Sequence, residues 1–296
     1  MRVGIVILPE DRWWAAEPKW RAAEEYGFDH AWTYDHLGWR SLVDGPWFSA
    51  VPTLTAAAMI TSTIRLGTFV VSPVFRHPVP FARELITLDD VSDGRLILGM
   101  GAGVGSPDYD AVVLEQPELT AKQRADRFVE FTEALHGLLT TDHFDYRGTY
   151  YSARDARNLP GPVQRPRMPF VIAANSSRTM RLAARFGTGW ATTGQARETV
   201  DAWWRSVAEL SARFDDALEQ TGRDRANVAR YLQLDAGPLF SLSSVAAFTD
   251  AAGRAAELGF TDIVTHWPRS EGPYEGHESV LEQVAEEVLP GLTGRG

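Results

Sequence analysis

Short apolar runs and amphipathic segments alternate along this chain eight times, and that order constrains its fold more than any single motif. The first run, "VGIVIL" (residues 3–8), is continuous rather than alternating, as expected of a strand buried on both faces. The helical pattern "AAEPKWRAAEEYG" follows and stops at Gly27. Seven further runs read as strands: "FDHAWTY" (28–34), "IRLGTFVV" (64–71), "RLILGMG" (95–101), "PFVIAA" (169–174), "GWATT" (189–193), "ARYLQLDAG" (229–237) and "FTDIVTHW" (260–267). Each is followed by a helical pattern. After the fourth comes an insertion, with a polar helix "AKQRADRFVEFTEALHGLL" and an aromatic hairpin-like piece "HFDYRGTYYS". Strands alternating with helices imply parallel strands and helical crossovers. Eight units within 296 residues, without a Rossmann fingerprint, predict an α/β fold of the closed (β/α)₈ TIM barrel type. No linker divides the chain, so residues 1–296 are expected to form a single domain with an insertion after strand four.

The formal charge is −10 and no Lys/Arg run makes a phosphate-backbone footprint, which excludes nucleic acid as an expected partner. The absence of cysteine rules out disulfides, thiolate nucleophiles and Cys-ligated metal. No segment reaches about 18 uncharged apolar residues, so a membrane span is not expected and a cytoplasmic location is.

Barrels of this kind carry chemistry at the C-terminal ends of their strands. Those ends are Pro9-Glu10, Asp35-His36, Ser72-Pro73 with Arg76-His77 beyond, "GMGAGVG" (99–105), "ANSSRT" (174–179), "TTGQ" (192–195), Asp235, and "THWPR" (265–269). The glycines at every second position from 99 to 105 would let a flat or phosphorylated ligand approach the backbone. Their spacing is not G-x-G-x-x-G, and a tight rim turn would need them equally. In "ANSSRT", Asn175 or Ser176 can cap a helix whose free N–H groups, with the Thr179 hydroxyl and Arg178, suit a phosphate. An ordinary helix cap reads the same way.

His36 is the acid–base candidate, with Asp35 beside it to orient the ring, although a strand-end histidine is also a common structural residue. Of the seven histidines, His36, His77 and His266 map to this face. No His-x-His on strand one, no H-E-x-x-H and no carboxylate cluster accompanies them, so no metal site is expected. The G-x-S-x-G elbow is absent too. Trp39, Trp47 and Trp267 are placed to wall a pocket for a planar ring, whereas Trp203 and Trp204 read as packing.

The stretches "YDHL", "IRLGTFVVSPVFRHPVPFARELITLDDVSDGRLILGMGAG", "PFVIAANSSRTMRLAARFGTGWATTG" and "AAELGFTDIVTHW" resemble the bacterial luciferase-like superfamily of flavin- and deazaflavin-dependent barrels. The likeness covers nearly the whole chain. The Asp-His pair and "LGTFVVSP" resemble the branch that uses coenzyme F420, with FMN as the alternative. The resemblance implies that His36 stands near the reactive edge of the deazaflavin, with Asp35 beside it. It implies a strand-three bulge with a cis peptide at Phe69-Val70 behind the ring, and Ser72 touching it. Gly101, Ala102 and Gly103 would pass along the cofactor, and Ala174, Asn175, Ser176 and Thr179 would hold its phosphate.

One position departs from the pattern: Val104 stands where the sugar-phosphate dehydrogenases of that branch place a catalytic Glu. The implied activity is therefore an F420H2-dependent reductase delivering hydride to an activated C=C, C=N or C=O bond of a small-molecule or peptide-like substrate. Two alternatives stay open. One is an FMN-dependent monooxygenase served by a separate reductase, and the other is a non-catalytic flavin-binding barrel. The family also implies a homodimer formed through helices flanking strands one to three. Rim loops around 39–48, 105–118 and 266–276 are expected to set the substrate.

Overall fold

A computed structural model describes residues 1–103 and 108–293. The chain runs β1 (Arg2–Val6), α1 (Trp13–Glu25), β2 (His30–Thr33), α2 (Ala50–Ile60), β3 (Arg65–Val71), α3 (Pro78–Val91) and β4 (Leu96–Met100). The insertion supplies α4 (Tyr109–Val113), α5 (Ala121–Thr140), β5 (His143–Arg147) and β6 (Ser152–Arg157). Alternation then resumes with β7 (Phe170–Ala173), α6 (Ser177–Phe186), β8 (Gly189–Thr192), α7 (Val200–Gln220), β9 (Ala229–Gln233), α8 (Val245–Glu257), β10 (Asp262–His266), α9 (Glu278–Glu287) and α10 (Leu289–Thr293).

Eight parallel strands close in the order β1-β10-β9-β8-β7-β4-β3-β2, so the predicted barrel is present, and β5 and β6 pair separately as an antiparallel hairpin. Closure rests on the β1–β10 register, which aligns Arg2 with Asp262 and Val6 with His266. Among the described residues, no helix is long and apolar enough to cross a membrane.

Strand periodicity of two sorts the side chains into an inner and an outer set. On β2 and just beyond it, His30, Trp32 and Tyr34 share the inner face; on β10 that face carries Asp262, Val264 and His266. Inside the barrel, Val6, Trp32, Phe69, Ile97, Val171, Tyr231 and Val264 form an apolar plug. Trp32 fits only because its neighbours lack side chains. A Cβ on Gly67 would lie 2.5 Å from Trp32 Cζ3, and one on Gly4 would lie 1.9 Å from His30 Nδ1. Outside, Phe28, Leu54, Phe81, Phe131, Trp190 and Phe214 belong to the larger core between barrel and helices. Trp203 and Trp204 are buried with it, as packing residues.

The hairpin is tied back to the barrel. The Glu130 carboxylate accepts from the backbone N–H of Thr149 and Tyr150 at 3.0 and 2.8 Å. The Tyr151 hydroxyl donates to the carbonyl of Pro73 at 3.1 Å, one residue beyond Ser72.

Candidate active site

The C-terminal ends of the strands surround a cavity of about 1040 Å³. Its floor comes from β3, which departs from regular pairing with β4 between Thr68 and Val71, where the Phe69-Val70 peptide is cis. Bulge and cis bond thus lie where the family resemblance put them. Val70 and Ser72 line the floor; a Cβ on Gly101 would come within 3.0 Å of Val70 Cγ2, so the strand-four end passes close over it. Gly103 turns the chain with φ +85°, a conformation that favours glycine. Val104, the position that departs from the dehydrogenase pattern, lies outside the described residues.

Every residue assigned to cofactor contact lines this cavity: Phe69, Val70, Ser72, Gly101, Ala102, Gly103, Ala174, Asn175, Ser176 and Thr179. Ser176 caps α6 in a capping box, its Oγ accepting from Thr179 N at 3.3 Å while Thr179 Oγ1 accepts from Ser176 N at 3.3 Å. The α6 N-terminus therefore opens into the cavity with hydroxyls around it. Asn175 has a different local task. Its amide donates to Gly194 O at 3.0 Å and accepts from Thr192 Oγ1 at 2.7 Å, which stitches β7 to the turn after β8.

Arg178 does not supply the expected charge, because its guanidinium pairs with Asp126 on α5. The cation on this wall is Arg124, also on α5. The small-residue wall, the floor and the anion-ready end together fit a flat ring system with a phosphate-bearing tail.

His36 lines the mouth, and the structure corrects its partner. Asp35 is buried and both of its oxygens accept from Arg76, at 2.7 and 3.1 Å. The carboxylate on His36 is Asp110, fully buried at the start of α4, with Oδ2 2.7 Å from Nδ1 and Oδ1 accepting from Leu37 N at 2.8 Å. An ionised carboxylate only accepts, so Nδ1 carries the hydrogen. Nε2 has no partner among the described residues. Asp108 crowds this carboxylate: its own burial and then the Asp110 charge push the Asp108 pKa up. The ring of Trp39 lies 4.4 Å from that of His36, and the Trp47 indole donates to His36 O at 2.8 Å. Trp267, by contrast, is buried outside the cavity, stacked on Tyr26 and donating to Glu278. His77 is the N-cap of α3, accepting from Val79 N.

Sequence reasoning put Asp235 and His266 on this face but did not join them, with Tyr34, Gln233 and Tyr274, into a second cluster. Tyr34, Gln233, Asp235 and Tyr274 also line the cavity, grouped around the buried His266. The signal was available in the strand periodicity, since Tyr34 and His266 each end the inner face of their strands.

The sequence matches the luciferase-like monooxygenase family over residues 10–236. The chain belongs to that family. It is 30% identical over 318 residues to an F420-dependent glucose-6-phosphate dehydrogenase of Beutenbergia cavernae, covering 92% of this chain and 91% of the relative. Among solved structures, the F420-dependent tetrahydromethanopterin reductase of Methanopyrus kandleri superposes with a TM-score of 0.79 at 19% identity, over 98% of this chain and 99% of that one. An F420-dependent secondary alcohol dehydrogenase gives a TM-score of 0.82 at 16% identity, over 98% of both chains. These two likenesses are of fold.

Proposed function

We propose that this chain is an F420-dependent oxidoreductase that works as a reductase, adding hydride and a proton across an activated C=C, C=N or C=O bond of a small-molecule or peptide-like substrate. The observation that carries the reading is the His36 side chain, fixed through Nδ1 by Asp110 with Nε2 left to the cavity. Bound reduced F420 supplies the hydride. Val70, Ser72 and the Gly101–Gly103 stretch would seat its ring system, and Ser176, Thr179 and Arg124 its phosphate. His36 as imidazolium donates from Nε2 to the substrate atom that does not take the hydride, and Asp110 stabilises the charged ring. The cavity lining is mixed, with Phe69, Val70 and Ala173 toward the floor and polar groups from His36 to Asp235 around them, so a ring can rest on apolar surface while polar atoms of the substrate find partners.

Coenzyme choice is tested by titrating the purified chain with F420 and with FMN, following fluorescence, then mixing each reduced form with air. Tighter F420 binding, with no oxygen consumed, is expected. Tight binding of reduced FMN with oxygen consumption would instead establish the monooxygenase reading, and binding of neither would leave a non-catalytic barrel.

A further inference from the structure

The cluster around His266 has a directional order that hydrogen-bond arithmetic fixes. Asp235 Oδ2 accepts from His266 N at 2.7 Å and lies 2.8 Å from His266 Nδ1. Thr265 Oγ1 donates to the same oxygen at 3.2 Å, and Ser241 N donates to Oδ1 at 2.9 Å. A carboxylate accepts only, so Nδ1 bears a hydrogen in either charge state of the ring. Tyr34 Oη lies 2.8 Å from His266 Nε2, 2.9 Å from the Gln233 amide nitrogen, and 3.2 Å from Tyr274 Oη.

The Gln233 amide nitrogen also lies 3.3 Å from Nε2, a contact that suits the neutral ring as acceptor. Two proton placements are open to the Tyr34 and Tyr274 hydroxyls. With a neutral imidazole, Tyr34 donates to Nε2, accepts from Gln233, and accepts the Tyr274 proton, so the Tyr274 oxygen faces the cavity as an acceptor. With an imidazolium, Nε2–H donates to Tyr34, Tyr34 donates to Tyr274, and the Tyr274 hydrogen turns to the cavity.

We propose that Tyr274 is a second acid–base group of this cavity, switched between proton acceptor and proton donor by the protonation of His266 acting through Tyr34. In the donating direction, Tyr274 gives the one proton of the turnover, in place of His36, to a substrate bound with its developing anion on the Tyr274 side of the cavity. Tyr34 returns a proton to Tyr274, and His266 Nε2 returns one to Tyr34. The net change is one proton lost by the imidazolium and one bond to hydrogen gained by the substrate. This use of the array rests on the reductase reading for the hydride; the array itself does not.

Several features suit it to the task. The imidazole is fully buried, and Tyr274 lies against it with ring centroids 3.6 Å apart and planes 8° apart, so the two groups are held in contact. Burial pushes both phenols up, Tyr34 well above its ordinary value, so hydroxyls rather than phenolates carry the proton. The charges facing the array are Asp235, Arg40 near both tyrosines, and Arg269 near Tyr274, itself paired with Glu10. Tyr34 also borders the first station, its ring 6.3 Å from that of His36.

Two measurements on the full chain test the proposal. In the cofactor-free protein, nitrogen-15 histidine spectra are recorded from roughly pH 5 to 9, with His266 assigned by its loss in His266→Gln. The expected result is an Nδ1-protonated neutral ring that gains a proton at Nε2 on acidification. Its midpoint is expected to move by about 0.5 unit or more in Tyr34→Phe and in Tyr274→Phe, the latter keeping the stacked ring. One charge state throughout, in the wild type and both variants, overturns the switch.

The second measurement mixes the protein loaded with reduced F420 with 2-cyclohexen-1-one and follows a single turnover. Tyr274→Phe is expected to slow it by about 100-fold and to change its solvent deuterium isotope effect. A wild-type rate in that variant overturns the catalytic role. If the wild type itself does not reoxidise, the reductase reading fails, and the spectra alone decide whether the switch exists.

Discussion

Both ends of the barrel hold a buried His–Asp pair with one member on β10, and their neighbours make them different devices. At the bottom, Asp262 is gripped by Arg2 through two 2.7 Å hydrogen bonds and lies 3.1 Å from His30 Nε2. His30 Nδ1 accepts from the Trp32 indole at 2.6 Å. An indole N–H can only donate, so no proton can be passed along this line. At the top, His266 Nε2 meets the Tyr34 hydroxyl, which donates and accepts and leads through the Tyr274 hydroxyl toward the cavity. A His–Asp pair is therefore a rivet where the far ring nitrogen meets a one-way donor and a relay where it meets a reversible hydroxyl.

The largest expected effect breaks the rivet. Asp262→Ala leaves the buried His30 without its acceptor and releases the half-exposed Arg2, and should cost about 3 kcal/mol in urea unfolding. Next in size, His36→Ala should lower hydride transfer about 100-fold in stopped-flow assays, equivalent to about 3 kcal/mol, with the fold intact by circular dichroism.

A pH experiment sharpens the contrast at the bottom. Burial pushes the Asp262 pKa up, but hydrogen bonds from His30 and Arg2 outweigh this and hold it down to about 2. Because the folded value is depressed, the pair's stabilisation is complete above about pH 4 and is lost as pH falls toward 2. Urea midpoints should register about 2 kcal/mol over that window, and Asp262→Asn should remove the dependence. The smallest effect concerns Asp35. Breaking its pair with Arg76 in Asp35→Asn should cost about 1.5 kcal/mol of stability and change turnover by less than about threefold, separating its role from that of His36.

The barrel was legible because eight apolar runs in register with eight helices leave few alternatives, and the strand-end rule then gathered Phe69, Ser72, Gly101 and Ser176 at one mouth. Partnerships were not legible. Asp35 adjoins His36 in sequence, yet successive residues at a strand end point apart, and the carboxylate that reaches the ring comes from 74 positions away. Arg178 looked available for a phosphate until α5 packed beside α6 and presented Asp126. Trp267 follows an inward-facing histidine and so faces outward, which strand periodicity already implied.

Finally, the Tyr151–Pro73 hydrogen bond gives the hairpin, which pairs apart from the barrel sheet, a purpose at the mouth. By gripping the chain just past Ser72, the appendage props the ledge on which a ring would rest. Paring the chain down to a bare barrel would take away that buttress, so the ornament on the outside helps keep the floor level.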